Sequence, residues 1–573
     1  MALKLKFPWN YKKPLPVKLR GNELLQNPML NKSSAFTAEE RVALKLEGML
    51  PTYVNSIEEQ AKRVYPRISS KENDLDKYVA LAALQDRNEQ LFHRVLLDNL
   101  EEFMPIVYTP TVGQATKNFS QVFERGRGVW ITPDMKGRIS DVLKNAARMR
   151  YVALIVVTDN ESILGIGDQG AGGMAISIGK LALYTACAGI HPASVMPISL
   201  DVGTDNEELL NDPLYLGWRQ PRLRGSDYEE IVEEFVAAVA ENFDGAVLQW
   251  EDFSKDNALN ILERYRERVM SFNDDIQGTG AVALAGIYSA CRVRGDSLSD
   301  QRIVIHGAGA AGLGIYRQIA AGMKLEGLAD NEIGKRIAVL DSRGLLVTDR
   351  DLGDDYKSAM AWSADDAAAA GLADPANRSL DDVVDAFKPT VLIGTSGQAG
   401  AFTESIVKST AAHTERPVIL PFSNPTSITE AKPEDVIEWT DGKALVATGS
   451  PFEPVHYNDR TIEVGQGNNV FVFPGIGLGA LLCAASTISD TMITASAKAL
   501  ADSVTEEELQ RGLLYPSIDR LREVTANAAI AVIQQAKQEN AATLEVKNVR
   551  ETVVNAMWEP LYPPYEAANN KDD

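Results

Sequence analysis

The sequence predicts an α/β protein in which parallel sheets follow a helical N-terminal domain, and three observations predict it. Residues 1–126 place apolar side chains at helical intervals, as in YVALAALQDRNEQLFHRVLLDNL. From 127 onward strand-like and helix-like runs alternate: YVALIVVTD, a glycine-rich turn, a helix, MPISLDVG, then YEEIVEEFVAAVAENF. Farther along, RIVIHGAGAAGLGIYRQIAAG reads as strand, glycine turn and helix, the entry to a Rossmann-like dinucleotide-binding domain.

These patterns divide the chain in order. Residues 1–126 form the helical domain, expected at an oligomer interface, and 127–273 the catalytic or substrate domain. In the latter, Ile231, Val232, Phe235, Val236 and Val239 make the apolar face of one scaffold helix. Residues 274–467 form the nucleotide-binding domain, with further buried strands at TVLIGTS and PVILPFSNP. The helical stretch 468–540 is expected to complete the 127–273 domain, and 541–573 reads as a polar, acidic tail.

Composition narrows the class. The 573 residues are 45% hydrophobic, enough for several cores. No apolar run is expected to reach the ~20 residues that cross a bilayer, and no secretory core opens the chain. Cys187, Cys291 and Cys483 lie far apart, giving neither a disulfide framework nor a zinc spacing, and point to reducing cytoplasm. The formal net charge of −22 argues against a nucleic-acid surface. The first twenty residues are basic and free of acid. They read as a flexible or interface-bound arm, with mitochondrial targeting as the alternative.

Two stretches carry chemistry. AVLQW ends in Glu251 and Asp252, and FNDDIQGTG brings Asp274 and Asp275. Carboxylates past the carboxyl ends of parallel strands suit a hard divalent cation, Mg²⁺ or Mn²⁺. Solvated loop acids and helix caps are the plainer reading of either pair alone. Downstream, Gly307, Gly309 and Gly312 have GxGxxG spacing, with Ala310 and Ala311 opening the helix that would face a pyrophosphate. Asp341, ending the next strand, is the acid expected at an adenine-ribose hydroxyl. Lys180 sits among small and apolar neighbours; desolvation lowers a lysine's pKa toward use as a base, against the alternative of a snorkelling surface lysine. Tyr108, in MPIVYTPTVG, reads by itself as a packed aromatic at a turn.

From NPMLNKSSAFTAEER to RGLLYPSI, motifs recur in one order: MPIVYTPTVG, ILGIGDQG, GKLALYTACAGIHP, LDVGTDN, WEDF, FNDDIQGT, GAGAAGLGI, FSNPT and GQGNNVFVFPG. The chain resembles the malic enzymes. The resemblance implies NAD-linked oxidation of malate and decarboxylation to pyruvate with Mn²⁺ or Mg²⁺. It implies Glu251, Asp252 and Asp275 as metal ligands, Lys180 as general base, Tyr108 as general acid, and Asp274 as the group orienting the lysine. Asn424 and Asn469 match asparagines that bind substrate near the nicotinamide. Gln60, Arg63 and Arg87 match a fumarate effector site of some relatives, and the family forms homodimers and homotetramers.

Several features depart from that pattern or leave it open. Ser162 stands where many malic enzymes carry an arginine that grips a substrate carboxylate. Gly280 stands where many have alanine, which keeps malolactic enzyme, converting malate to lactate without net NADH, as the alternative. Ser342 and Arg343 after Asp341 leave NADP as the alternative cofactor. A catalytically silent nucleotide-binding subunit is the reading from a different class.

Overall fold

The structure is a computed structural model that describes residues 13–147 and 151–568. They fall into two compact units. One comprises the chain up to Glu161, Asp168–Ala246 and the residues from Glu551; the other comprises Ser162–Gly167 and Val247–Arg550.

The first unit begins with short helices whose starts are written in the sequence. Ser56 and Glu59 form a capping box ahead of Ile57–Ser69, and Asn73 caps Asp74–Gln85. Helix Glu89–Asp98 buries Leu91, Phe92, Val95 and Leu96. The chain then enters a parallel sheet in which Val195–Leu200 pairs with both Val129–Ile131 and Leu154–Thr158. Every residue of Leu154–Thr158 is buried, as an interior parallel strand requires. The predicted scaffold face of helix Gly225–Asn242 is buried.

Two expectations are corrected in this unit. Residues Gly170–Ala188 make a helical run of 19 residues apolar enough to cross a membrane, but 94% of its apolar stretch is buried inside the protein. A helix covered on all sides by core needs the same composition as a membrane span. The C-terminal segment is likewise more than a polar tail. Trp558 and Tyr565 are buried, and Tyr565–Ala567 pairs in parallel with Leu15–Val17. Tyr565 stands over the Lys32 ammonium, 3.7 Å from its ring centroid, and its backbone N–H donates to Glu40. Of the basic N-terminal arm the structure describes residues 13–20, including the strand Leu15–Val17; its first twelve residues lie outside the described residues.

In the second unit, Val247–Glu251 pairs in parallel with Ser271–Asn273, setting Trp250 opposite Asn273. A seven-stranded sheet follows, in the order Gly465–Gln466, Leu445–Thr448, Val418–Pro421, Val391–Gly394, Ile303–His306, Ile337–Asp341, Gly344–Leu345. All its pairings are parallel except the last, a hairpin. Ile303–His306 leads to the glycine turn and lies beside Val391–Gly394, where the strand order reverses. That reversal creates the crevice in which open α/β sheets bind ligands. Helices Phe473–Leu482, Asp490–Asp502 and Leu521–Gln538 pack on one another, and Asp490–Asp502 packs on Thr279–Arg294. The 468–540 stretch therefore clusters with the nucleotide-binding sheet, where the sequence pattern had joined it to residues 127–273.

Gly280 has a packing reason. A Cβ there would lie 2.4 Å from the Gly314 carbonyl oxygen and 2.7 Å from Gln318 Cγ, because helices Thr279–Arg294 and Ala310–Leu325 meet at that point. The glycine thus has a reason in the helix contact itself. Gly280→Ala is expected to lower unfolding stability by about 1–3 kcal/mol, the usual scale of overpacking. Urea melts of the two proteins check this, and equal midpoints would refute it.

Candidate metal and nucleotide site

The acidic cluster grows directly out of the second unit's paired strands. Val247–Glu251 is buried along its length and delivers Glu251 at its end. The next residue, Asp252, turns with a φ of 57°, a left-handed conformation that aspartate tolerates better than most residues. Its backbone N–H donates to the Asp275 carboxylate at 2.8 Å. One carboxylate oxygen each from Glu251, Asp252 and Asp275 lies within 4.8 Å of the others. Gln249, two residues before Glu251 on the same strand face, donates to its carboxylate at 3.0 Å.

Three carboxylates converging this closely, two of them buried, repel one another strongly in a medium of low dielectric. A hard divalent cation relieves that repulsion, and an all-oxygen donor set is what Mg²⁺ and Mn²⁺ take. The residues present therefore fit the ion.

Asp275 lies in a π-helical turn, Asp274–Gly278, that joins Ser271–Asn273 to helix Thr279–Arg294. Such turns are rare and concentrate at functional sites. Asn273 caps the turn by accepting from the Ile276 N–H, and Gln277 accepts from the Asn273 N–H. Asp274 is fully buried and accepts from the Asn469 amide at 3.1 Å, while the same amide reaches Thr279 Oγ1 at 3.2 Å. The structure thus brings Asn469 to Asp274. The preceding Asn468 is a cap, accepting from the Val470 N–H.

The glycine fingerprint has the shape its spacing predicts. Gly307 adopts a φ of 130°, open to glycine, and Gly312 approaches it so closely that a Cβ would sit 1.8 Å from the Gly307 carbonyl oxygen. A Cβ at Gly309 would meet nothing within 4 Å, leaving that side open to a phosphate. Helix Ala310–Leu325 starts immediately after, so Ala310 and Ala311 form its N-terminal turn.

Asp341 ends its strand as predicted, and two further cations, Arg350 and Lys357, join Arg343 beside it. Arg350 lies 2.8 Å from its carboxylate, Lys357 3.1 Å and Arg343 3.9 Å. Burial alone would raise its pKa; hydrogen bonds from Arg350, the Arg343 backbone and Lys357 hold it below the ordinary value instead. Asn424 stands partly exposed after the Val418–Pro421 strand, followed by a cis peptide bond to Pro425. Ser162, in place of the family's arginine, donates its backbone N–H to the Asp252 carbonyl oxygen at 2.9 Å.

The first unit holds the remaining two residues together. Lys180 lies fully buried in helix Met174–Ala188, its ammonium 5.5 Å from the centroid of the Tyr108 ring. Tyr108 is 8% exposed and follows helix Leu100–Val107 directly. Gly179 lets the two helices close: a Cβ there would lie 2.3 Å from the Val107 carbonyl oxygen.

Of the expected effector residues, Gln60 and Arg63 meet at the Ser34 hydroxyl. Gln60 is wholly buried; its amide donates to the Lys32 carbonyl and Ser34 Oγ, and its carbonyl accepts from the Tyr562 hydroxyl at 2.8 Å. The returning C-terminal segment thus completes its hydrogen bonding and makes Gln60 scaffold. Arg63 also reaches Asn55, and Arg87 lines a depression with Gln26, Asn31 and Arg125. Gln60→Ala is expected to lower stability by about 1–3 kcal/mol through the groups it leaves unpaired. A thermal melt indistinguishable from wild type would contradict that assignment.

Comparison with known proteins agrees with this geometry. Residues 85–266 match the family model "Malic enzyme, N-terminal domain" and residues 276–537 match "Malic enzyme, NAD binding domain". The chain is 47% identical to the NAD-dependent malic enzyme of Photorhabdus laumondii, covering 97% of this chain and 98% of that one. It is 48% identical to NAD-dependent malic enzyme 3 of Bacillus subtilis, covering 96% and 97%. The crystal structure of Entamoeba histolytica malic enzyme shares the fold, with a TM-score of 0.56 at 22% identity over 90% of each chain. That of the Pyrococcus horikoshii enzyme superposes with a TM-score of 0.53 at 25% identity, covering 80% of this chain and 89% of that one. With carboxylate cluster, nucleotide turn and near full-length kinship in agreement, the chain belongs to the malic enzyme family.

Proposed function

We infer that the protein oxidises (S)-malate to pyruvate and carbon dioxide with reduction of NAD, in a reaction dependent on a divalent metal. The observation that carries this is the convergence of Glu251, Asp252 and Asp275 in the same compact unit as an intact dinucleotide turn. When bound, Mn²⁺ or Mg²⁺ supplies Lewis acidity for both oxidation and decarboxylation.

The chain's own residues divide the remaining work. Glu251, Asp252 and Asp275 hold the ion, and Gln249 fixes the rotamer of Glu251. Lys180 accepts the proton of the malate hydroxyl through Nζ. Tyr108 delivers a proton from its hydroxyl to the substrate carbon after carbon dioxide has left. Asp274, held by Asn469, orients the lysine. Asn424 and the Asn469 carbonyl group bind substrate beside the nicotinamide.

The glycine turn takes the pyrophosphate and Asp341 the adenine ribose. Arg350 and Lys357 offset the repulsion Asp341 would offer a 2′-phosphate, so NADP is the second cofactor, behind NAD. Homodimers or homotetramers in the cytoplasm are the proposed working form. Arg63, with Gln60 behind it at Ser34, and Arg87 make up the proposed effector site. Fumarate then shifts the malate saturation curve of wild type and not of Arg63→Ala; no shift in wild type ends that reading.

One assay tests the function: purified protein with malate, Mn²⁺ and either NAD or NADP, following reduced nicotinamide and identifying the acid formed. Pyruvate with NADH is expected. Lactate without reduced cofactor would assign malolactic chemistry, and absence of turnover would leave a silent nucleotide-binding subunit.

A further inference from the structure

Glu430 is fully buried at the carboxyl edge of the nucleotide-binding sheet. Its Oε1 accepts from the Ser396 N–H at 2.8 Å, from Ser396 Oγ at 2.8 Å and from Ser423 Oγ at 2.6 Å. Its Oε2 accepts from the Ser423 N–H at 3.3 Å. A buried carboxylate is tolerated only when hydrogen bonds replace its hydration, and all four of these come from two turns that follow adjacent strands. The strands are Val391–Gly394 and Val418–Pro421, and Gly394 is a glycine where a Cβ would meet the Glu430 carboxyl carbon at 2.4 Å.

Both turns lead straight to site residues. Thr395, next to Ser396, donates its hydroxyl to the carbonyl oxygen of Gly307, the first fingerprint glycine. Ser423 is next to Asn424, and its hydroxyl also accepts from the Gly397 N–H at 2.9 Å. Backbone bonds from Gly400 to the Thr429 oxygen and from Phe402 to the Glu430 oxygen tie the Glu430 segment to the first turn again. A single side chain therefore reaches the nucleotide turn through Ser396 and Thr395 on one side and Asn424 through Ser423 on the other.

We propose that Glu430 is a positioning residue that locks the Thr395–Gly397 turn to the Ser423–Pro425 turn, so that the nucleotide-side and substrate-side loops are set as one piece. This rests on the assignment of Asn424 to substrate given above. Removing the carboxylate strands two backbone donors and two hydroxyls and lets the turns move independently. Displacements near 1 Å at such loops are enough to lower turnover by about 10²-fold.

The test compares wild type with Glu430→Ala, Glu430→Gln, Ser396→Ala and Ser423→Ala. Each is characterised by its thermal melt, by NADH affinity from fluorescence titration without substrate, and by malate KM and kcat at saturating NAD. Glu430→Ala is expected to lower kcat/KM for malate by about 10²-fold and to weaken NADH binding several-fold. Glu430→Gln keeps the oxygen that serves three donors and should recover to within about tenfold of wild type. Ser423→Ala should move malate KM more than NADH affinity, and Ser396→Ala the reverse, a split that general loosening of the fold does not produce. A folded Glu430→Ala that keeps both constants within about twofold of wild type overturns the proposal. Should that variant not fold, the serine pair decides, and unchanged constants in both overturn it. Asn424→Ala with unchanged malate KM removes the Asn424 assignment alone, since the NADH arm still reports on the clamp.

Discussion

Replacing Tyr108 with phenylalanine or Lys180 with methionine is expected to lower turnover by at least about 10²-fold, the scale of lost general acid–base catalysis. These are sharp tests because each leaves its surroundings nearly intact. Tyr108→Phe removes one oxygen and keeps the ring that stands 5.5 Å from the Lys180 ammonium, so packing and the cation–π contact persist. Lys180→Met keeps most of the volume of a side chain that is wholly buried, and removes the charge that burial makes costly. Neither substitution should weaken NADH binding, because the pyrophosphate and adenine-ribose contacts are assigned to the glycine turn and to Asp341. The loss must therefore fall on kcat. Near-normal turnover in either variant removes that residue from the mechanism.

Much of the site could be read from the sequence because its signals are local. An apolar strand that ends in two acids, and a glycine triplet between strand and helix, state their chemistry within a dozen residues, and the structure builds both as read. Lys180, whose helix offers it no acidic neighbour, read as a desolvated or a snorkelling lysine, and only the family resemblance pointed to the first. What escaped were contacts between distant segments. Tyr562 completes Gln60 across more than five hundred positions. Arg350 and Lys357 close on Asp341 only because the hairpin after that strand and the helix beyond it fold back. Glu430, seven residues past Ser423, looks like any loop acid until two turns wrap it. Gln249 was within reach, since a polar residue two positions before Glu251 in a buried strand must share its face. The C-terminal residues were misread through their polar ends. Their aromatic content, WEPLYPPYEA, was the better guide, because Trp558 and Tyr565 are what the core takes up.

Asp275→Asn is expected to have the other large effect, a loss of Mn²⁺-dependent turnover exceeding the 10- to 100-fold typical of disturbing only the residues behind a metal ligand, so more than about 10²-fold. It also carries a signature in stability that a damaged fold would not imitate. In the metal-free wild type, the carboxylates of Glu251, Asp252 and Asp275 are held within 4.8 Å and oppose folding by their mutual repulsion. Neutralising one relieves that strain, so the metal-free variant should melt at or above the metal-free wild type. Added Mn²⁺ should stabilise wild type by about 2.7 kcal/mol at one hundred times its dissociation constant, and the variant far less at the same concentration. The Asp252 N–H retains a partner, because the asparagine carbonyl oxygen can accept in place of the carboxylate oxygen now 2.8 Å away. The two melting curves, each with chelator and with Mn²⁺, therefore separate loss of the ion from loss of structure. An unchanged Mn²⁺ shift together with retained turnover would move the metal elsewhere; a lower metal-free melting temperature would mean that Asp275 holds the turn more than it strains it.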